Sequence, residues 1–102
     1  MAGNVEIRWS RKAIRQVQQI ARHIELDSPW QAQRVVQKIY AIPEGLSWSP
    51  AKGRIVPEYG DSTLREITVF SWRVIYRLKE PGLIEIAAVV HGKRILRDEL
   101  LG

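Results

Sequence analysis

A chain of 102 residues carrying 16 Lys and Arg against 11 Asp and Glu, for a net charge of +5 and with no cysteine, has room for one domain, residues 1–102, around one modest core. The missing cysteines exclude disulfides, a thiol nucleophile and a zinc-finger framework, and the basic balance favours nucleic-acid or acidic-protein partners. No apolar run reaches the ~18 residues of a membrane helix, and MAGNVEIRW lacks the charged and apolar regions of a signal peptide, so a cytoplasmic protein with no membrane partner is expected.

Val5, Ile7 and Trp9 alternate with Glu6 and Arg8, the period of a short first strand. Ser10 suits a helix N-cap, and over residues 11–26 the positions Ile14, Val17, Ala21 and Ile24, with Ala13 and Ile20 beside them, predict an amphipathic helix. Its outer face carries Arg11, Lys12, Arg15, Gln19, Arg22 and His23. Arg11 and Lys12 oppose the helix dipole in the first turn, a few tenths of a kcal/mol each, so this face is either simply solvated or kept for a partner. Asp27-Ser28-Pro29 breaks the chain: Ser28 can cap a second helix, Pro29 fits its first position and Gln31 can complete a capping box. Ala32, Val35, Val36, Ile39 and Ile42 form its apolar stripe, continued by Leu46, and Pro43 forces a kink or break near residues 41–42. Trp30, Tyr40 and Trp48 read as core or helix-packing aromatics.

Residues 47–63, SWSPAKGRIVPEYGDST, are dense in Pro, Gly and Ser and predict an ordered loop with one short extended piece at 54–56. Three strands follow within residues 64–91. In the middle one Trp72, Val74, Tyr76 and Leu78 alternate with Arg73, Ile75, Arg77 and Lys79, which assigns the first set to a core and the second to a polar surface. Residues 83–90 are apolar on both faces apart from Glu85 and belong inside the sheet. Lys79-Glu80-Pro81-Gly82 supplies the hairpin between them, Pro81 fixing one φ and Gly82 allowing the positive φ of the next position. The expected fold is α+β: a two-helix hairpin on one face of a small curved antiparallel sheet, in the order β-α-α-β-β-β with a short C-terminal tail. Trp72, Val74, Tyr76, Ile84, Ile86 and Val90 are expected in its core.

No phosphate-binding Gly loop, Gly-x-Ser-x-Gly elbow, His-Glu-x-x-His or metal-ligand cluster occurs, so neither cofactor nor metal is implied. His23 reads as an exposed helix residue. His91 ends a buried strand directly before Gly92, where it either caps a carbonyl or serves a site at the rim. Arg65, Arg73 and Arg77 on adjacent strands, with Arg54 and Arg94, make either a concave cationic surface or a solvated face laced by Glu66 and Glu85. Glu58 can cap, pair with one of these arginines, or act as a base.

Pro50, Gly53-Arg54, Val56-Pro57-Glu58, Arg65-Glu66, Trp72-Arg73-Val74-Ile75-Tyr76-Arg77 and Val90-His91-Gly92-Lys93-Arg94, behind two amphipathic helices, together resemble the RelE/ParE superfamily of toxins from bacterial type II toxin-antitoxin systems. The resemblance covers essentially the whole chain and implies a cognate antitoxin as partner. It also implies one of two activities. RelE-like members, the YoeB-like branch among them, cut mRNA on the ribosome. By likeness to that branch Glu58 would be the base, Arg65 with Arg73 would stabilise the phosphorane, and His91 would be the acid, a division of labour that fits metal-independent endoribonuclease chemistry. ParE-like members poison DNA gyrase without a known catalytic site, and the Arg-Val-Ile-Tyr-Arg strand with the His-Gly-x-Arg ending is common among them. On either reading Arg54, Arg73, Tyr76, Arg77, Lys93 and Arg94 would contact nucleic acid or target. A non-toxic interaction module is the remaining alternative.

Overall fold

A computed structural model describes residues 5–80 and 82–102. The chain forms β1 (Glu6–Trp9), α1 (Arg11–Glu25), α2 (Pro29–Tyr40), α3 (Ile42–Trp48), β2 (Arg54–Ile55), β3 (Leu64–Val69), β4 (Trp72–Leu78) and β5 (Leu83–His91), then a 3-10 turn at Asp98–Leu100. Local chemistry sets the boundaries. The Ser10 hydroxyl accepts from Ala13 N (3.0 Å) and donates to Ala87 O (3.2 Å), so one side chain both starts α1 and ties it to the sheet. Ser28 accepts from Gln31 N with Pro29 in the first turn of α2. The break expected near 41–42 falls at Ala41, the C-cap of α2 and N-cap of α3. Gly82 takes φ 89° as the hairpin requires, whereas the expected role of Pro81 lies outside the described residues.

The five strands lie in the order β1-β5-β4-β3-β2. The sheet is mixed where an antiparallel one was expected, because β1 runs parallel to β5, pairing Ile7 with Ile84 and Trp9 with Ile86. Parallel neighbours cannot be joined by a tight turn, and here the helices and strands β2, β3 and β4 intervene. The remaining pairs are antiparallel, β2–β3, β3–β4 and β4–β5.

The helices cover one face. Val17, Ile20, Val35, Ile39 and Leu46 pack on Val74, Tyr76, Ile84 and Ile86, and no helix among the described residues is long and apolar enough to cross a membrane. The opposite face is not the solvated surface that alternation suggested. Val56, Leu64, Ile75, Ala88, Val90 and Leu96 form a second, smaller core there, under the loop around β2 and the C-terminal tail. Val90 therefore moves out of the helix-side core. The cause is an irregularity in the β4–β5 register: Ile75 pairs with Ala88 but Tyr76 with Ile86, so Ala87 is unpaired and every β5 residue after it changes face. Trp30 and Trp48, expected to pack, are 67% and 71% exposed. Only Tyr40 of that trio makes an aromatic contact, with Trp9 at 4.7 Å between centroids.

Tyr76 shows how the loop is held. Its ring is fully buried, and its hydroxyl donates to Pro50 O and accepts from Gly53 N, each at 2.8 Å. Burial raises the phenol above its usual pKa, so it stays a neutral donor. A Cβ at Gly53 would come within 2.5 Å of Glu66 O and 2.7 Å of the Tyr76 hydroxyl, so the backbone there can come this close only as glycine. Tyr76→Phe should cost about 1–3 kcal/mol by stranding a buried amide and carbonyl, and Gly53→Ala should cost at least as much; urea denaturation of both variants against wild type measures this.

Candidate functional site

On the second face, the Arg73 side chain is 6% exposed and fully engaged. Its Nη1 and Nη2 donate to Glu58 Oε2 and Oε1 at 2.7 Å each, a two-pronged guanidinium–carboxylate contact. Its Nε donates to Glu66 Oε1 at 2.7 Å, and Nη1 also reaches Arg94 O at 3.1 Å. Arg54 Nε donates to the other Glu66 oxygen at 2.6 Å, and Leu96 N donates to Glu58 Oε2 at 2.8 Å. β2, β3, β4, the loop and the tail each contribute a member, and no buried side-chain polar atom among the described residues lacks a partner. The hydrogen bonds from Arg73 come first among the causes that bring the Glu58 pKa down from 4.5 to about 2, with burial opposing and Leu96 N assisting. The same pairing pushes Arg73 further above its ordinary value. A carboxylate this acidic is a weak base.

The three residues assigned to catalysis by resemblance do not converge. Leu64 and Glu66 occupy the second face, so Arg65 between them points to the helix side. There its guanidinium donates to Ser62 O, Gly53 O and Ala51 O, a loop-holding role. His91 also lies on the helix side, because the irregularity at Ala87 puts it there. It packs edge-on to Trp72 with centroids 5.2 Å apart, and its Nδ1 accepts from Lys93 N at 3.1 Å. That bond leaves the neutral ring with its proton on Nε2. The sheet thus separates His91 from Glu58.

The remaining assignments divide. Tyr76 is buried with its hydroxyl engaged, and Arg73 is buried in its ion pair, so neither offers a contact surface, contrary to expectation. Arg54 keeps a side chain 68% exposed despite its bond to Glu66. Arg77 and Lys79 flank Glu85 at 3.9 and 3.5 Å. Lys93 and Arg94 are exposed.

Two features escaped the sequence reading. His23 shares a cavity of about 250 Å³ with His91, Gln16, Gln19, Trp72 and Arg94; the helical period puts it on the outer face with Gln19, but nothing in the sequence shows that this face meets the end of β5. Arg34 lies 5.6 Å from the Trp30 ring centroid and 5.5 Å from that of Phe70, and Phe70 holds φ 54° at the tip of the β3–β4 hairpin with 47% of its surface exposed. No group of three His, Asp or Glu among the described residues can hold a metal ion.

Residues 7–96 match the family model described as ParE toxin of type II toxin-antitoxin system, parDE. A curated relative, "Putative toxin Y4kP" of Sinorhizobium fredii (strain NBRC 101917 / NGR234), is 36% identical over 87 residues, which cover 83% of this chain and 85% of that one. A solved structure titled "Chromosomal ParDE TA system from P. aeruginosa" superposes with a TM-score of 0.70 at 23% identity, covering 87% of this chain and 97% of that chain, a likeness of fold.

The ion-pair network carries a pH dependence with a definite sign. Glu58 has a folded pKa of about 2 against an ordinary 4.5, so its stabilisation is complete above about pH 4.5 and is lost as pH falls through 2. Discounted for the part of the carboxylate in water, it is on the order of 2 kcal/mol. Urea midpoints from pH 5 to pH 2 should fall steeply for wild type. Glu58→Gln should be less stable at pH 5 and lose less on acidification; parallel curves would remove Glu58 from the acid response.

Proposed function

The chain belongs to the ParE toxin family of type II toxin-antitoxin systems, and from that premise we propose that it arrests growth by binding DNA gyrase and not by cutting mRNA, and that an antitoxin encoded beside it neutralises it. The observation that carries this reading is the state of Glu58. Metal-free RNA cleavage needs a base on one side of the scissile phosphate and an acid on the other, both within reach of the same ribose. Here Glu58 is bound face to face to Arg73 with its pKa at about 2, and His91 lies across the sheet with its Nδ1 engaged. Opening the Glu58–Arg73 pair to free a base would leave a nearly buried guanidinium short of its partner, at a cost of about 3–5 kcal/mol.

A binding toxin has different needs. It requires a rigid scaffold with exposed contact groups, and exposed Arg54, Lys93 and Arg94 around a sheet packed by helices on one face and held by the Arg73 ion pairs on the other meet that requirement. The antitoxin, as partner of a basic toxin, is expected to bring acidic and apolar side chains in a segment that orders on binding.

Two assays run side by side test the proposal. Purified protein should inhibit gyrase supercoiling or trap cleaved DNA while leaving mRNA intact in a translating extract, and His91→Gln should retain that effect within a few-fold. Codon-specific mRNA cuts that fall about a hundred- to ten-thousand-fold in His91→Gln, the loss expected of a general acid, would overturn it.

A further inference from the structure

The excess positive charge is concentrated where α1 meets the C-terminal tail. Three cavities of about 250, 220 and 520 Å³ open there, and all three are lined by Leu100. They are bays of one groove. Lys12 and Arg15 come from α1, and Lys93, Arg94 and Arg97 from the tail; the single carboxylate in the lining is Glu99. The neighbouring Asp98 carboxylate is taken by the Tyr59 hydroxyl. The groove is built, since Gln16 Nε2 donates to Leu100 O at 2.9 Å while Gln16 Oε1 accepts from Val89 N at 2.7 Å. Lys12 Nζ donates to Glu99 O, and Gly102 N closes the tail onto Ala87 O at 2.8 Å. α1 has no acidic residue in its first turn, and cations there work against the helix. Of the two first-turn cations, Arg11 and Lys12, Lys12 lines the groove and is tied to the tail through Glu99 O.

We propose that this groove binds the phosphate backbone of duplex DNA, independently of sequence. Lys12, Arg15, Gln19 and His23 recur at helical spacing along one stripe of α1, which spans about 16 Å at a rise of about 1.5 Å per residue. Phosphates of one strand succeed one another every ~3.4 Å along the duplex axis, so the stripe runs past about five of them, and the cations of the lining, Lys12, Arg15, Lys93, Arg94 and Arg97, are the groups that neutralise them. The Gln19 amide and the Nε2–H of His91 add uncharged donors between the cations. Single strands are disfavoured because the groove has no row of open aromatic faces for bases; Trp72 is half-buried and meets His91 edge-on. An acidic peptide is disfavoured in the two bays lined by Lys12, Arg15, Lys93, Arg94 and Arg97, where Ile95 and Leu100 are the apolar residues; the apolar lining of Ile20, Trp72, Val89 and Val90 is confined to the bay at His91. The inference goes beyond the proposed target and needs neither gyrase nor antitoxin to be tested.

Anisotropy of a labelled duplex of about 20 base pairs, titrated with the full-length protein, measures it directly. Binding at about 50 mM salt should weaken by about 500-fold on going to about 200 mM, the slope for five phosphate contacts. Arg15→Ala and Arg94→Ala, both at exposed positions, should each weaken binding roughly tenfold at about 50 mM salt and lower the salt slope by about one. Lys38→Ala, an exposed cation of α2 outside the groove, should bind as wild type does, and thermal melts should show all three variants folded. No anisotropy change at about 50 mM salt, or an unchanged slope in both arginine variants, would overturn the proposal. Preference for duplex RNA or single-stranded DNA, or displacement of the duplex by polyglutamate at equal charge, would overturn it as well by reassigning the groove.

Discussion

The second face of the sheet depends on one buried arginine. Arg73 lies under the loop and the tail with two carboxylates around its guanidinium, Glu58 in a two-pronged contact and Glu66 on Nε, while Arg54 balances the second negative charge from outside. An unpaired guanidinium in this position would be prohibitively costly to desolvate. With both carboxylates present it becomes a staple: Glu58 comes from the loop, Glu66 from β3, and the tail is fixed through Leu96 N and Arg94 O. The apolar cluster beneath is small, six buried residues of aliphatic type, too few to define where an irregular loop and an eleven-residue tail settle. Directional charge-assisted bonds supply that definition.

The same staple constrains chemistry. A general base must be free to take a proton at neutral pH and an acid free to give one, yet the carboxylate nearest to that role is committed to holding the fold. The side on which His91 emerges is set by a single unpaired residue. Strict alternation along β5 from Ile84 and Ile86 would place His91 on the Arg73 side, close to Glu58; the irregularity at Ala87 sends it to the helix side, toward Trp72 and α1.

This also explains what the sequence disclosed and what it withheld. The helices were legible because their signals are local: Ser10 and Ser28 as caps, Pro29 at a first turn, and apolar stripes at 3.6-residue spacing. The three-strand meander was legible from alternation and from Gly82. The parallel pairing of β1 with β5 was not, since alternation in Val5, Ile7 and Trp9 is identical in either orientation. The unpaired Ala87 left no trace either, because residues 83–90 are apolar on both faces and tolerate either phase. Alternation assigns Arg73 to the surface, where isolated charge stays in water; its two carboxylate partners are 15 and 7 residues away, in segments whose approach no periodicity encodes. Trp30 misled in the opposite direction, its apolar bulk suggesting a core although it stands at the solvated start of α2 beside Arg34.

The distribution of charge follows from these commitments. Carboxylates that could have neutralised the surface are spent within the sheet: Glu58 and Glu66 on Arg73 and Arg54, Glu85 on Arg77 and Lys79. Among the described residues the cations of α1 and the tail have no carboxylate partner, and Lys12 donates instead to the carbonyl of Glu99. A chain with a net charge of only +5 thereby shows one strongly positive flank, because the sheet is close to electroneutral inside. Since Leu96 N and Arg94 O tie the tail to the Glu58–Arg73 pair, the positions of Lys93, Arg94 and Arg97 beside α1 depend on that pair. Loosening the staple would cost the protein more than stability: the tail would lose its register against α1, and the positive flank would disperse into separately solvated charges.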